Sequence, residues 1–182
     1  ILPSMKSCSG DIAVFFHRDF PHPITNIRGN ITADEVWGGS SIHIVTCDVV
    51  VGGVGQPHLI IQPGAIVRFA EGARLTVGVS QVGSLDADGV TFEHQDRTAP
   101  GRWEGIQIGD RDNIANPTVI SNSTIRDASG AGISVSGGTV TIDAVDIEDT
   151  VGNGIELDNG AMVAITNSNF SNNVGTGIAG LD

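Results

Sequence analysis

The last third of the chain contains three copies of one short pattern, and this repeat restricts the chain to a narrow set of folds. Each copy starts at an isoleucine and ends in a Gly-x-Gly-Ile corner. The copies occupy residues 120–133, 142–155 and 165–178. The first isoleucine recurs after 22 residues (120 to 142) and then after 23 (142 to 165). A fixed period in the twenties, built of short β-type segments with glycine between them, is typical of a solenoid in which each repeat forms one coil.

Alternation of apolar and polar residues dominates these repeats, as in residues 133–135, 155–157 and 163–165. Alternation with a period of two is typical of β-strands, because successive side chains point to opposite faces. The 25 glycines and the low aromatic content of 4% suit narrow coils lined by Ile, Val and Leu. The sequence therefore predicts an all-β chain.

The repeat also divides the chain. Residues 31–182 are predicted to form a single-stranded parallel β-helix of about 22 residues per coil. Residues 1–30 do not follow the repeat, and we expect an irregular N-terminal cap or arm there, because the terminal edge of a coil stack needs a cover. Two segments, residues 93–101 and 110–117, interrupt the rhythm and are expected to leave the stack as loops. Since the pattern is still running at residue 182, we expect the β-helix to continue beyond it or to stack on another copy.

The repeat assigns each side chain to the inside or the outside of its coil. Ile147 is expected to point inward, so its neighbours Asp146 and Glu148 point outward. Arg126 occupies the position of Glu148 one coil earlier, which predicts an ion pair between neighbouring strands.

Another column of equivalent outward positions, one per coil, holds Asp127, Asp149 and Asn172, each just before a Gly-x-Gly corner. Asp and Asn tolerate a left-handed backbone or bond their own backbone at such corners. The column therefore has a structural explanation.

The net charge of −12 excludes some partners. Lys6 is the only lysine, and no basic stripe is available to replace phosphate counterions, so no nucleic-acid binding is predicted. Attraction to anionic membranes is disfavoured for the same reason. No run of about 18 apolar residues is present, so no membrane insertion is predicted. The acidic C-terminal half indicates either a solvated surface or cation binding.

Two features suit a secreted protein. Cys8 and Cys47 would pair in an oxidising compartment, closing a loop worth about 4 kcal/mol, whereas two buried thiols are the alternative. Three N-x-Ser/Thr sequons make Asn30, Asn122 and Asn169 candidate glycosylation sites.

Three sequence features together resemble a known family. They are the Leu-Ile-Ile-Gln-Pro-Gly-Ala-Ile-Val-Arg-Phe segment at residues 59–69, the Trp-Glu-Gly-Ile segment at 103–106, and the Gly-x-Gly-Ile repeats. With them, residues 30–182 resemble the right-handed parallel β-helix superfamily, particularly extracellular bacterial β-helix repeat proteins. The resemblance implies a right-handed coil and an extracellular or cell-surface location. It leaves the activity open, because this fold carries lyases, hydrolases, adhesins and inert spacers.

Enzymes of this fold act mostly on polysaccharides, and the resemblance directs attention to carboxylates beside a basic residue. The Asn-Thr-Asp, Asp-Asp, His-Gly and Arg-x-Lys segments of polygalacturonases do not occur here. If the chain is an enzyme, the candidate catalytic residues are Arg126, Asp146 and Glu148, since two carboxylates on one strand face have a spacing that glycosidases use. Any acidic pair on any strand would meet that criterion.

Binding without catalysis is a further hypothesis. Asp127 and Asp149 are the binding candidates for a cation, with Ca²⁺ as the one cofactor to consider, and no metal site is otherwise predicted because the histidines do not converge. Trp103 is the candidate for stacking on a sugar ring, with Trp37 as the only other indole. Packing of Trp103 beneath the 93–101 loop is the competing interpretation.

These observations favour a non-catalytic, extracellular structural or adhesive module. We expect it to associate through its coil ends, which would give a filament, or to form part of a larger surface protein. The alternative is a domain that binds or cleaves polysaccharide.

Overall fold

The computed structural model describes residues 13–15, 24–96, 102–111, 113–158 and 160–180. Their regular structure consists of short strands. In chain order these are β1 (Ala13–Phe15), β2 (Ile24–Ile31), β3 (Glu35–Trp37), β4 (Ile42–Val51), β5 (His58–Ile61), β6 (Ile66–Phe69), β7 (Leu75–Val77), β8 (Ser84–Asp88), β9 (Thr91–His94), β10 (Ile106–Ile108), β11 (Thr118–Ser121), β12 (Thr124–Arg126), β13 (Ile133–Ser136), β14 (Thr139–Asp143), β15 (Asp146–Glu148), β16 (Ile155–Asp158), β17 (Met162–Thr166), β18 (Asn169–Ser171) and β19 (Ile178–Gly180). Over these residues there is no helix long and apolar enough to cross a membrane.

The strands form a coil with three faces. The first face consists of β3, β5, β8, β11, β14 and β17, the second of β6, β9, β12, β15 and β18, and the third of β7, β10, β13, β16 and β19. Along each face, neighbouring strands come from successive coils and pair in parallel. Strand β4 is long enough to pair with β6 on the second face and with β7 on the third. The predicted fold, an all-β right-handed parallel β-helix, is confirmed.

The coils vary in length. The chain makes about six turns of about 24 residues each, against the predicted period of about 22. In the repeats, Thr124 pairs with Asp146 and Asp146 with Asn169, the same short steps that separate the repeated isoleucines. Thr91, however, pairs with Thr124, a step half as long again. This longer coil contains both of the predicted interruptions, so the mean length rises while the register of the stack is kept. The prediction for residues 93–101 is wrong at its start, because Glu93 and His94 belong to β9 and pair with β6.

The core fills the inside of the coil. Phe92, Ile125 and Ile147 are register partners on β9, β12 and β15, and all three are 0% exposed. Burying one such aliphatic side chain stabilises the fold by about 1.5–3 kcal/mol. The inward position of Ile147 is confirmed, and its neighbour Asp146 is exposed.

Two columns of left-handed residues close the corners. One residue per coil has a positive φ between the first and second faces: Ser40, Gly64, Gly89, Asn122, Ala144 and Asn167. Between the second and third faces, Asp127, Asp149 and Asn172 have φ values of 62°, 57° and 55°, as predicted for this column. The corner just before β13 requires glycine, since a Cβ at Gly132 would lie 2.6 Å from Cγ2 of Ile147.

The N-terminal part is described for β1 and β2. Strand β1 pairs antiparallel with β2, whereas β2 runs parallel to β4 from Ile24 onward, with a register shift between Ile27 and Gly29. Parallel stacking is thus present before residue 31. Residues 1–12 and 16–23 lie outside the described residues, and the division into cap and β-helix stays a prediction.

Cys47 lies on β4, is 0% exposed and is disulfide-bonded. Cys8, its predicted partner and the other cysteine of the chain, lies outside the described residues.

Candidate functional site

Four charged side chains alternate in sign across four consecutive coils of the second face. Arg68, Glu93, Arg126 and Glu148 occupy one outward column on β6, β9, β12 and β15, and we call this set the charge ladder. Arg68 Nε donates to Glu93 Oε1 at 2.9 Å, and Arg126 Nη2 donates to Glu93 Oε2 at 2.6 Å. Arg126 Nη1 lies 3.7 Å from Glu148 Oε1, which confirms the predicted pair. The shorter contact of Arg126, however, is with Glu93.

Glu93 is the centre of the charge ladder, with a side chain only 5% exposed. Burial raises the pKa of this carboxyl, but the hydrogen bonds and charges of Arg126 and Arg68 outweigh burial and hold the pKa below its ordinary value. For Arg126, burial lowers the pKa, whereas Glu93 and then Asp127 and Glu148 raise it, with a net increase. Both groups are therefore held in their charged forms.

The candidate catalytic residues occupy adjacent strands of this face. Arg126 and Glu148 are in contact within the charge ladder, whereas Asp146 lies on the same strand as Glu148 and is exposed. The neighbours of Asp146 in register are Thr124 and Asn169. The arrangement thus presents one exposed carboxylate beside one that is already paired with arginine.

The binding candidates Asp127 and Asp149 lie at the corner after this face. Arg102 Nη1 donates to the Asp149 carbonyl oxygen at 2.7 Å and lies 3.8 Å from Oδ1 of Asp127. Asp127 is 9% exposed. In the described part of the chain, no group of three or more His, Cys, Asp and Glu side chains is placed to hold a metal ion. Arg102 therefore contacts both acidic residues of this corner. The described residues provide no cluster of ligands for the calcium ion considered above.

Trp103 lies inside the coil. Its ring is 0% exposed and stacks on Phe69, with centroids 4.3 Å apart and an interplanar angle of 13°. Its Nε1 donates to the Arg126 carbonyl oxygen at 2.7 Å. In this position the indole offers no free face to a sugar ring. Trp37 is likewise buried, at 2% exposure.

A cavity on the third face was not foreseen from the sequence. It has a volume of about 250 Å³ and is lined by Val79, Gln107, Gly109, Asp110 and Ser136. Gln107 Oε1 accepts a hydrogen bond from Arg74 Nη1 at 3.4 Å. The outward positions of β16, Glu156 and Asp158, continue the columns of Ser134 and Ser136 in the next coil.

The sequence contained one signal for this cavity. Strand β10, which carries Gln107, lies between the two predicted interruptions, residues 93–101 and 110–117. Insertions before and after a strand can fold beside the sheet and form the sides of a cavity. Which outward residues would line the space depends on how the second insertion folds back, and no periodicity encodes that.

The sequons differ in their contacts. Asn30 and Asn169 are exposed on strands, and Asn122 is exposed at a corner. The Nδ2 group of Asn122 donates to Asp88 Oδ1 at 2.7 Å, and Ser121 Oγ donates to the same oxygen at 2.9 Å. These two hydrogen bonds lower the pKa of Asp88. Glycosylation stays a prediction at all three asparagines.

Comparison with known proteins agrees with this architecture. Residues 77–182 match the family model described as the right handed beta helix region. No curated protein and no solved structure matches the chain. The matched segment begins in β7, includes both insertions and all three repeats, and covers more than half of the 182 residues. The chain belongs to the right-handed β-helix family.

Proposed function

We propose that this chain is a non-catalytic structural module that acts outside the cell as a rigid spacer or adhesive rod. The observation that carries the proposal is the charge ladder, which joins four coils along the axis. Charged hydrogen bonds are among the stronger ones in proteins, and Glu93 accepts its bonds on a side chain that is only 5% exposed. The polar groups used there hold the coils together and are not free for a substrate.

The disulfide at Cys47 supports the location. Disulfides persist in oxidising compartments, so a disulfide at the buried Cys47 suits a protein exported to the cell surface. The acidic surface, with a net charge of −12, favours solubility and repulsion from polyanions.

The last described coil supports association along the axis. Ile178 is 46% exposed, whereas Ile155 and Ile133, which occupy the same inward column in the two preceding coils, are 0% exposed. A further coil would cover Ile178, contributed by the same chain or by a second copy. We propose that the module works in such a continuous stack, as a filament subunit or as part of a larger surface protein.

Electron microscopy of the native material, with the mass of the intact chain measured alongside, tests this proposal. We expect either filaments with the roughly 4.8 Å spacing of stacked strands along their axis or elongated particles of greater chain mass. Cleavage of a polysaccharide by the purified chain, abolished in a Glu148→Gln variant, would contradict a non-catalytic role.

The cavity on the third face favours a second candidate function, the binding or cleavage of polysaccharide. Its amide, carboxylate and hydroxyl groups are suited to hydrogen bonds with sugar hydroxyls. Because Trp103 is buried, Gln107 replaces it as the residue to test.

Calorimetric titration with a panel of neutral and acidic polysaccharides checks this candidate. We expect Gln107→Ala to weaken any binding about fivefold, as the loss of one hydrogen bond implies. Thr141→Ala, an exposed change on the first face, is the matched control. Equal affinity in both variants would remove this cavity as the binding site.

A further inference from the structure

Strand β3 is an edge strand with one described neighbour. It ends the order of strands on the first face, and its register partners all lie on β5. The Trp37 carbonyl oxygen accepts from the Gln62 amide at 3.0 Å, so the backbone groups of Trp37 point toward β5. Successive residues of a strand direct their N–H and C=O groups to opposite sides. The backbone N–H and C=O of Val36 therefore point away from β5, to the side where the described residues supply no strand.

A cavity of about 350 Å³ adjoins this edge. Its lining consists of Thr25, Ile27, Glu35, Val36, Trp37, Gly38, Ser41 and His43. This volume falls within the range of about 300–1,000 Å³ that binding pockets occupy. The Val36 side chain is 55% exposed at the rim, so the outer face of β3 is open to solvent at this residue.

The polar lining contains mainly acceptors. Glu35 Oε1 accepts from Trp37 Nε1 at 2.8 Å, and the carboxylate offers no donor in its ionised form. His43 Nε2 lies 3.0 Å from the Gly38 carbonyl oxygen and must carry the proton, which leaves Nδ1 as a buried acceptor without a partner. The Ser41 hydroxyl already donates to the Gly39 carbonyl oxygen. A group that enters this space is therefore favoured when it carries donors and a positive charge.

We propose that β3 is a strand-addition edge for an extended peptide of a partner protein, and that a Lys or Arg side chain of this peptide enters the cavity beside Glu35. Addition of a strand to an exposed sheet edge is a recurring mode of peptide recognition, in which main-chain hydrogen bonds supply affinity and side-chain pockets supply specificity. The backbone of Val36 supplies the hydrogen bonds. On an added strand, side chains in register with Glu35 point into the cavity, where the carboxylate pairs with the cation. This proposal is independent of the proposed function.

The experiment uses the full chain and three blocked pentapeptides. The first has the sequence TVKVT, the second carries norleucine in place of lysine, and the third repeats the first with N-methyl groups on alternate amides. Binding is measured by calorimetry, and exchange of the Val36 amide is followed by NMR. We expect the lysine peptide to slow exchange of the Val36 amide and to bind about fivefold more tightly than either analogue, since each analogue loses one ion pair or one backbone hydrogen bond.

Glu35→Gln is the matched protein variant, because glutamine keeps an oxygen for Trp37 Nε1. In this variant the lysine and norleucine peptides should bind equally, while the N-methyl analogue stays weaker. Two results would overturn the proposal. One is no change at the Val36 amide with the lysine peptide. The other is a Val36 amide already protected in the free protein, which would mean that a segment of the same chain covers the edge.

Discussion

The early coils and the late coils build the same β-helix by different means. The early coils, from β3 to β10, contain the largest buried side chains, Trp37, Phe69, Phe92 and Trp103, and the longest step in register follows β9. The late coils, from β11 to β19, keep a nearly constant step and use isoleucine columns and glycine corners. Bulky aromatic rings can fill the inside of coils that differ in length, whereas coils of nearly equal length stack without such rings. The difference shows that this fold does not require a regular sequence.

The largest effect is expected in the late coils from a charge in the isoleucine column. Ile147 is 0% exposed, and Ile147→Asp would place an unpaired carboxylate in the core at a cost of more than about 4 kcal/mol. We expect loss of the β-type circular dichroism spectrum at 25 °C. Asp146→Ala, the exposed neighbour, should change the free energy of unfolding by less than about 0.5 kcal/mol. Equal stability of the two variants would refute the inward assignment.

The early coils should respond most to loss of an aromatic ring. Trp103→Ala removes the ring stacked on Phe69 and should lower the free energy of unfolding by about 3–5 kcal/mol, measured by urea denaturation. Ile133→Val, in the late coils, is a milder core change and should cost about 0.5–1.5 kcal/mol. If Trp103→Ala lowered the free energy of unfolding less than Ile133→Val, the stability of the early coils would not depend on their aromatic rings.

The charge ladder joins the two regions, and its two carboxylates should not contribute equally. Glu93→Gln leaves Arg126 and Arg68 without their shared carboxylate in a buried site, and we expect a loss of about 2–3 kcal/mol. Glu148, whose side chain is 31% exposed, lies at a longer distance from Arg126, so Glu148→Gln should cost less than about 1 kcal/mol. Urea denaturation of both variants at low and high salt measures the contrast. Similar losses of unfolding free energy in the two variants would show that burial of Glu93 does not make its ion pairs more stabilising than that of Glu148.

The smallest effect is a pH dependence confined to the early coils. Burial lowers the pKa of His43 below its ordinary value of 6.5, although its hydrogen bond to Gly38 and the charge of Glu35 oppose this shift. The folded state then binds fewer protons than the unfolded state, so stability is complete above about pH 6.5 and falls as the pH is lowered. Trp37, which stacks on His43 with centroids 5.4 Å apart, should report the change by fluorescence.

His43→Gln is the control for this titration. The variant should lose the part of the pH dependence that begins as the pH falls below about 6.5. If the stability of the wild-type protein and that of the variant depend on pH in the same way, protonation of His43 does not limit the stability of the early coils.

The late coils can be predicted from the sequence because their spacing fixes the register. Once the repeat places Asp146 one coil after Thr124, the contact of Arg126 with Glu148 and the left-handed backbone of Asp127 follow from position alone. Glu93 cannot be assigned in the same way. It precedes the longest step of the stack, and no period tells which residue of the next coil returns beside it.

Two other features also lie beyond sequence reasoning. Strand β2 has a register shift between Ile27 and Gly29, which no alternation of residues predicts. The cavity beside Gln107 is lined in part by Asp110, the first residue of the interruption at residues 110–117, and no period predicts where an interruption places its side chains. Asn113 Nδ2 donates to the Gln56 carbonyl oxygen at 3.1 Å, a contact across more than one coil that local pattern does not encode.

The position of Glu93 has a consequence for how this chain can change over evolution. The 2.6 Å contact between Arg126 and Glu93 crosses the longest step of the stack, which contains both predicted interruptions. Beside it, Phe92 and Ile125 meet in register. Because these contacts align the coils on both sides, we expect that residues gained or lost between them would not shift the strands that follow. The step is therefore where we expect the chain to tolerate changes of length best.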